Sequence, residues 1–445
     1  MTDKTSTPTT RRTFLTTSAA ATAAGLAAPY FFSTERVAAD EAKAKNDRLR
    51  FGCIGNGGMG HGDAGAARRY GDIVAVCDVD RGHAESVRQK FSGGKAEVYE
   101  DYRKLLDRKD IDAVTISTPD HWHTRILIDA LKAGKDAYCQ KPLTLTIDEG
   151  KQICAVAKQT GRVVQVGTQQ RSENHNMFLK AVALCHAGRL GKIKKVSCAI
   201  GGAPSGGPFK KSDPPSNFNW DMWLGQAPKV DFIRERTHNH FRWWYEYSGG
   251  KMTDWGAHHV DIAQWAIGMD QSGPKSIEVV SVTHPVKLKE GMPTADDRFN
   301  TATAFQVRCL FPNDVEMIIR HDTDNGVLIE GENGRIFVNR GKLVGKAVDD
   351  MKSDPLPDDA LTKLRHGKPL DSHMGNFVAC VKDRSLPVSD VYTHHRALTT
   401  CHLANIALRL GRNLNWDAQS EQIVGDDAAN AWQKREQRQG FEIVA

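Results

Sequence analysis

A chain of 445 residues exceeds one ordinary hydrophobic core and calls for two or three domains. With 40% hydrophobic and 26% charged residues it is a globular composition, which excludes a disordered chain. A formal net charge of +6 without any Lys/Arg-rich run argues against a nucleic-acid surface, and no run beyond the N-terminal region is long and apolar enough to span a bilayer.

The N-terminus reads Thr10-Arg11-Arg12-Thr13-Phe14-Leu15, followed by a weakly apolar, Ala-rich stretch over 16–32. Paired arginines ahead of such a stretch form the pattern of a bacterial twin-arginine signal, which predicts export to the periplasm or another extracytoplasmic space. Residues 1–39 are assigned to signal and linker, with cleavage expected near Ala28 or Ala39. The nine cysteines show no CxxC spacing, and their odd number argues against a complete disulfide framework. Cys53 and Cys77 read as small buried hydrophobes within strands.

From residue 48 the pattern alternates strand and helix. Runs at 50–54, 73–77, 113–117, 136–139 and 163–166 read as buried parallel strands. Between them, Asp120 is expected to cap a helix through Leu131 that Gly134 closes. Thr146 and Glu149 form a capping box for a helix ended by Gly161. This rhythm predicts an α/β, doubly wound parallel sheet of the Rossmann type over 48–170. Beyond Gln170, isolated strands are expected at 193–200, 277–283, 303–311, 315–320, 327–329 and 336–338. Turn residues Pro312-Asn313-Asp314 and Glu332-Asn333-Gly334 join neighbours as hairpins. A second α+β domain with an open, mostly antiparallel sheet is therefore assigned to 171–371. A C-terminal helix and tail (372–445) should pack on the preceding domains.

Gly55-Asn56-Gly57-Gly58-Met59-Gly60 follows the first strand and opens a helix. In that context the first glycine permits a tight turn and the second lets backbone approach a pyrophosphate. The third allows close helix packing, and the helix N-terminus stabilises the anion. Asp78 ends the next strand, where a carboxylate accepts hydrogen bonds from ribose hydroxyls and repels a 2′-phosphate. NAD is favoured, although Arg81 nearby leaves room for NADP.

Two segments carry candidate chemistry. Tyr138-Cys139-Gln140-Lys141-Pro142 ends a strand at the carboxyl edge of the sheet, and Pro142 holds Lys141 extended there. A lysine so placed can stabilise developing alkoxide charge, although position alone fits a solvated lysine better. In Gly249-Gly250-Lys251-Met252-Thr253-Asp254-Trp255-Gly256-Ala257-His258-His259-Val260-Asp261, a helix is expected from about Thr253. Asp254, His258, Asp261 and Trp265 would then line one face. Histidine with a carboxylate one turn away suits a general base, whereas a lone histidine is more often structural. Asp254, His258 and Asp261, with His121 and His123, are also a conceivable ion site, but no motif demands metal and none is expected.

Together with Thr118-Pro119-Asp120-His121-Trp122-His123, these motifs resemble, in order, the glucose-fructose oxidoreductase/inositol dehydrogenase/MocA (Gfo/Idh/MocA) family. The resemblance implies a C-terminal open-faced sheet used for substrate binding and oligomer contacts. It implies that Lys141, Asp254 and His258 are catalytic, and that Thr118, Pro119 and His123 lie along the cofactor beside Gln140 and Lys141. The family usually has Glu where this chain has Gln140, which keeps the shape and loses the charge.

On this basis the expected activity is hydride transfer at a hydroxyl-bearing carbon of a sugar, sugar derivative or polyol by a homo-oligomer. His258, oriented by Asp254, would take the hydroxyl proton while Lys141 binds the same oxygen. Export adds a constraint, because no replenishing NAD pool is expected outside the cytoplasm. NAD should be held tightly and restored within each cycle. That can happen by oxidising one sugar and reducing a second carbonyl compound. It can also happen by transient oxidation, elimination of an aglycone, water addition and re-reduction, giving net glycoside hydrolysis. A non-catalytic sugar-binding protein is the third reading. His121, Trp122, Trp220, Trp223, Trp243, Trp244 and Tyr245 can stack on sugar faces, with core packing the simpler role for most of them.

Overall fold

The computed structural model describes residues 48–445; the twin-arginine motif lies outside the described residues. The first sheet contains β1 (Leu49–Ile54), β2 (Gly71–Cys77), β3 (Glu97–Tyr99), β4 (Ala113–Ile116), β5 (Asp136–Cys139) and β6 (Val164–Val166). All are parallel, in the order β3-β2-β1-β4-β5-β6. Continuous apolar runs suit the four central strands because helices cover both faces. The strand order reverses between β1 and β4, which opens a crevice at their carboxyl ends. Edge strand β3 has only three residues, two of them half-buried, so it lacks the apolar run that marks the others.

Helix ends follow the sequence in one case and depart from it in another. Thr146 Oγ1 accepts from the Glu149 amide at 3.3 Å and Gly161 closes that helix at φ +61°. The box is only half formed, because the Glu149 carboxylate binds the Leu145 amide and the Thr124 hydroxyl. Asp120 is not a cap. Pro119 holds that position for the helix Asp120–Lys132, and the Asp120 carboxylate accepts from Ser248 Oγ at 2.5 Å.

The second sheet contains β7 (Ile193–Ala199) and β8 (Ser276–Thr283), and the two-residue β9 (Leu288–Lys289) and β10 (Met292–Pro293) form a separate ribbon. It continues with β11 (Ala304–Leu310), β12 (Glu316–Arg320), β13 (Gly326–Gly331), β14 (Gly334–Val338) and β15 (Leu343–Val344). The last strands are β16 (Leu414–Asp417) and β17 (Gln422–Ile423), and the order is β15-β14-β13-β7-β12-β11-β8-β16-β17. Only β12 and β7 pair in parallel; the other neighbours are antiparallel.

The C-terminal stretch serves both halves. Met374, Phe377 and Val381 of the helix His373–Asp383 share a core with Phe51, Cys53 and Tyr138 of the first sheet. The helix Val391–Leu410, capped by Asp390, packs on the helices Ile147–Thr160 and Gly256–Ala266 and on β8. The tail then adds β16 and β17 to the second sheet, so that sheet does not end at residue 371.

Candidate active site

The crevice holds a cleft of about 380 Å³, within the range of small-molecule sites. Gly55, Gly57, Gly58, Met59, Asp78, Thr118, Pro119, Gln140 and Lys141 line it; Asn56, Gly60 and His123 do not. The glycine roles separate cleanly. Gly55 sits at φ +78°, and a Cβ there would lie 2.6 Å from Ser117 and Thr118 backbone. A Cβ on Gly60 would lie 1.8 Å from the Gly55 carbonyl oxygen. At Gly58 a Cβ would meet nothing within 4 Å, so that position faces open space. The helix Gly58–Ala67 starts without a side-chain cap, which leaves its first amides available to an anion. A dinucleotide pyrophosphate fits this cradle.

Asp78 and Asn56 hold the loop. Asp78 accepts from the Asn56 amide at 2.6 Å, while the Asn56 side chain donates inward to the Cys77 and Cys53 carbonyls. His83 stands 3.7 Å from Asp78, and that carboxylate raises the imidazole's affinity for a proton. The second half of the chain crosses this end of the cleft. Asn219 and Asn217 pair through backbone with Val79 and Arg81 at 2.9 and 3.1 Å, around an Asp80–Phe218 bridge. At the rim Asp80, His83 and His238 bring three potential metal-ligand atoms within 4.8 Å of one another.

His123 acts as a strut behind the cleft lining. Its ring nitrogens reach the Pro142 carbonyl at 2.7 Å and the Thr118 carbonyl at 2.8 Å, tying the ends of β4 and β5 together. Of the aromatic candidates, Trp122 and Trp223 line the cleft. His121 Nε2 and Trp122 Nε1 both reach the Trp223 carbonyl at 2.9 Å, Trp220 stacks on Trp223, and Trp244 is buried beneath Arg236.

At the floor, Lys141 Nζ donates to Asp254 Oδ1 at 2.6 Å and to the Asp254 carbonyl at 2.9 Å. Arg242 Nε reaches the same Oδ1 at 3.3 Å. Burial raises the Asp254 pKa, but the Lys141 and Arg242 cations outweigh it and hold the carboxyl at about 2. Asp254 therefore serves Lys141 and does not orient His258. The expected single helix is interrupted at Trp255 into Lys251–Asp254 and Gly256–Ala266, and a Cβ on Gly256 would lie 2.9 Å from Cys401 Sγ. His258 lies outside the cleft wall with its Nδ1 buried and unpartnered; burial, then the Lys141 charge, drives its pKa well below the usual imidazole value. Asp261 is not available to a metal shared with Asp254, because Arg171 binds it through two 2.7 Å bonds.

Gln140 has a specific partner. Its Nε2 donates to both carboxylate oxygens of Asp63, at 3.0 and 2.9 Å, and Ser117 Oγ donates to the same group at 2.7 Å. Burial lifts Asp63 to about 6 against these donors. The charge absent at residue 140 thus stands opposite it, on the helix that carries the glycine loop. Asp63, Arg242, Ser248 and the site role of Asp120 were not identified from sequence. One signal existed: Asp63 is the only acidic residue in the Gly/Ala-rich helix Gly58–Ala67.

Residues 49–168 match the family model described as the oxidoreductase family's NAD-binding Rossmann fold, and residues 207–443 match its C-terminal alpha/beta domain. The inositol 2-dehydrogenase of Salmonella typhimurium is 31% identical over 112 residues, covering 25% of this chain and 33% of that protein. The chain thus spans about a third of that relative's length in the alignment. An alpha-N-acetylgalactosaminidase of Shewanella oneidensis is 39% identical over 127 residues, 26% of this chain and 27% of that protein. The WlbA dehydrogenase of Bordetella pertussis, solved with NADH and UDP-GlcNAcA, shares the fold with a TM-score of 0.59 at 17% identity, covering 83% of this chain and 99% of that one.

Proposed function

Because the chain belongs to the Gfo/Idh/MocA oxidoreductase family, we propose that it is an NAD-dependent oxidoreductase acting at a hydroxyl-bearing carbon of a sugar, sugar derivative or polyol. The observation that carries this reading is Lys141, which lines the glycine-loop cleft and is paired with Asp254. A nicotinamide held there would supply the hydride acceptor for oxidation of the sugar carbon and the hydride donor for its reversal.

Lys141, Asp254 and His258 form the proposed catalytic group. Lys141, aimed by Asp254, donates to the reacting oxygen and stabilises charge that develops on it. Asp254 positions Lys141, while neutral His258 lies beside this pair without a second charge. Gly55, Gly57, Gly58 and Met59 hold the pyrophosphate, Asn56 and Gly60 shape that loop, and Asp78 takes the adenosine ribose in preference to a 2′-phosphate.

The twin-arginine motif supports export by a route that carries folded proteins, and hence a cofactor that is loaded first and retained. The backbone crossing of residues 217–219 over the end of β2 supports retention, since release would require that crossing to open. Similarity to the Shewanella alpha-N-acetylgalactosaminidase favours a second reading, net glycoside hydrolysis by oxidation, elimination, water addition and re-reduction.

Mass spectrometry of small molecules released on denaturing the purified protein tests retention directly. NAD is the expected product, and the absence of any dinucleotide overturns the self-recycling scheme. Sugars and polyols that reduce the bound nucleotide then identify the substrate class. Release of a chromogenic aglycone without added NAD selects the hydrolytic reading.

A further inference from the structure

Lys141 and Arg242 are committed to Asp254, but two further cations gather beside that carboxylate without a partner of their own. Lys251 opens the helix Lys251–Asp254, with its Nζ 5.7 Å from the centre of the Trp243 ring and 5.8 Å from that of Trp255. Arg340 follows β14, and its guanidinium lies 4.6 Å from the centre of the Trp255 ring. The Gln170 amide accepts from Arg340 Nε at 3.2 Å and donates to the His258 carbonyl at 3.3 Å. That link ties Arg340 to the His258 helix and leaves the two terminal nitrogens of its fork without a described hydrogen bond. Trp255 stands 6.1 Å from the His258 ring, centre to centre. Lys251 is half-buried and Arg340 exposed, so both can be reached from solvent. Among the described residues Asp254 is the only carboxylate whose charge acts on either. Lys141 and Arg242 also act on Asp120, so four cations here face two carboxylates.

Resting on the reading that Lys141 binds the reacting oxygen of a sugar, we propose that the substrate is an acidic sugar whose anionic group is held by Arg340 and Lys251. Neither residue lines the glycine-loop cleft, so a nucleotide filling that cleft leaves their charge to the substrate. A sugar with its hydroxyl at Lys141 extends from the cleft toward Trp255, where the surplus charge lies. Like charges gathered this way repel one another, and an arriving anion relieves the repulsion. A carboxylate, a sulfate or a phosphate can each do so. The planar fork of Arg340 matches the two coplanar oxygens of a carboxylate best, which favours a uronic acid. A neutral sugar leaves the surplus uncompensated, so the site selects by charge as well as by shape.

Reduction of the bound nucleotide in the holoenzyme tests this with matched pairs: glucose and glucuronate, galactose and galacturonate, glucose and its sulfate or phosphate ester. The acidic member of at least one pair should exceed its neutral partner in kcat/KM by about tenfold or more. That ratio should fall with added salt, which screens exposed charges beyond about 8–10 Å. The acid that leads identifies the anion. Arg340→Gln and Lys251→Gln should each raise KM for that acid by about tenfold, more than they lower kcat, and the double variant should lose the preference. The competing role is packing on Trp255, which predicts equal losses for acid and neutral sugar, and that result overturns the proposal. Neutral sugars that match or exceed their acids in the wild-type enzyme overturn it without any variant, and leave the oxidoreductase reading standing. If no sugar of either kind reduces the nucleotide, that reading fails, and calorimetric titration with the same pairs decides the anion site. Acid binding that the double variant weakens supports the site, and equal binding of acid and neutral sugar overturns it.

Discussion

Beside the cleft Asp254 is buried against Lys141 and Arg242; on the cleft wall Asp120 is buried against the Ser248 hydroxyl. Their exposures are close, 7% and 3%, yet Asp254 is held at about 2 and Asp120 at about 7. Burial raises both carboxyls, so it cannot be what separates them. The difference lies in contact with cations: two touch Asp254, whereas the same two act on Asp120 without a hydrogen bond. Asp63, at about 6, repeats the Asp120 pattern with neutral donors Ser117 and Gln140. In this protein a directly contacting cation keeps a buried carboxylate ionised, and neutral donors leave it able to take a proton.

The strongest way to break that comparison is to delete the cation. Lys141→Met should lower kcat by about 10²–10³, the cost typical of losing one donor to a developing oxyanion. The same variant should move the Asp254 titration upward, toward Asp120, because Arg242 and Lys251 are then left to oppose burial. Single-turnover reduction of the bound nucleotide checks the first effect and carboxyl NMR the second. An Asp254 that still titrates near 2 would show that Lys141 is not what keeps it ionised.

A second substitution adds a carboxylate on the neutral side. Gln140→Glu restores the residue common in the family but sets two buried carboxyls against each other where Nε2 now donates to Asp63. The expected loss is about 1–3 kcal/mol of stability, read as a lower thermal midpoint at pH 8. Asp63→Asn in the same chain should recover most of it, since an amide again faces a carboxylate. Gln140→Glu without cost would mean that the contact with Asp63 is incidental.

These contacts also mark what could be read from the residues alone. The glycine loop, β1 to β6 apart from β3, and the strands of the second sheet up to β14 follow local apolar patterns and turn residues, which are legible along the chain. The pairings that set the site chemistry are not local. Asp63 meets Gln140 across 77 positions, Lys141 meets Asp254 across 113, and Asp120 meets Ser248 across 128. Spacing placed Asp254 and His258 on one helical face, but the Asp254 carboxylate binds Lys141 and Arg242 instead. β16 and β17 were missed for a related reason: each is too short to carry a period, and pairing with β8 and with each other defines them.

The pH dependence of stability sharpens the contrast most, because the two carboxyls should respond to pH with opposite signs. An unfolded aspartate titrates near 3.9. Asp120 sits above that value when folded, so the folded chain binds the extra proton between about pH 4 and 7. Its contribution to stability is present below pH 4 and lost as pH rises through about 7. Asp254 sits below it, so its contribution is present above pH 4 and lost as pH falls toward 2. Asp120→Asn should therefore be more stable than the wild-type protein at pH 8, by at most about 4 kcal/mol, and indistinguishable from it below pH 4. Asp254→Asn should be less stable at neutral pH, with the gap narrowing as pH falls toward 2. Denaturant midpoints across pH, with the cofactor content matched, check both curves. Two variants whose stability differences run in the same direction with pH would mean that burial, not cation contact, sets these carboxyls apart.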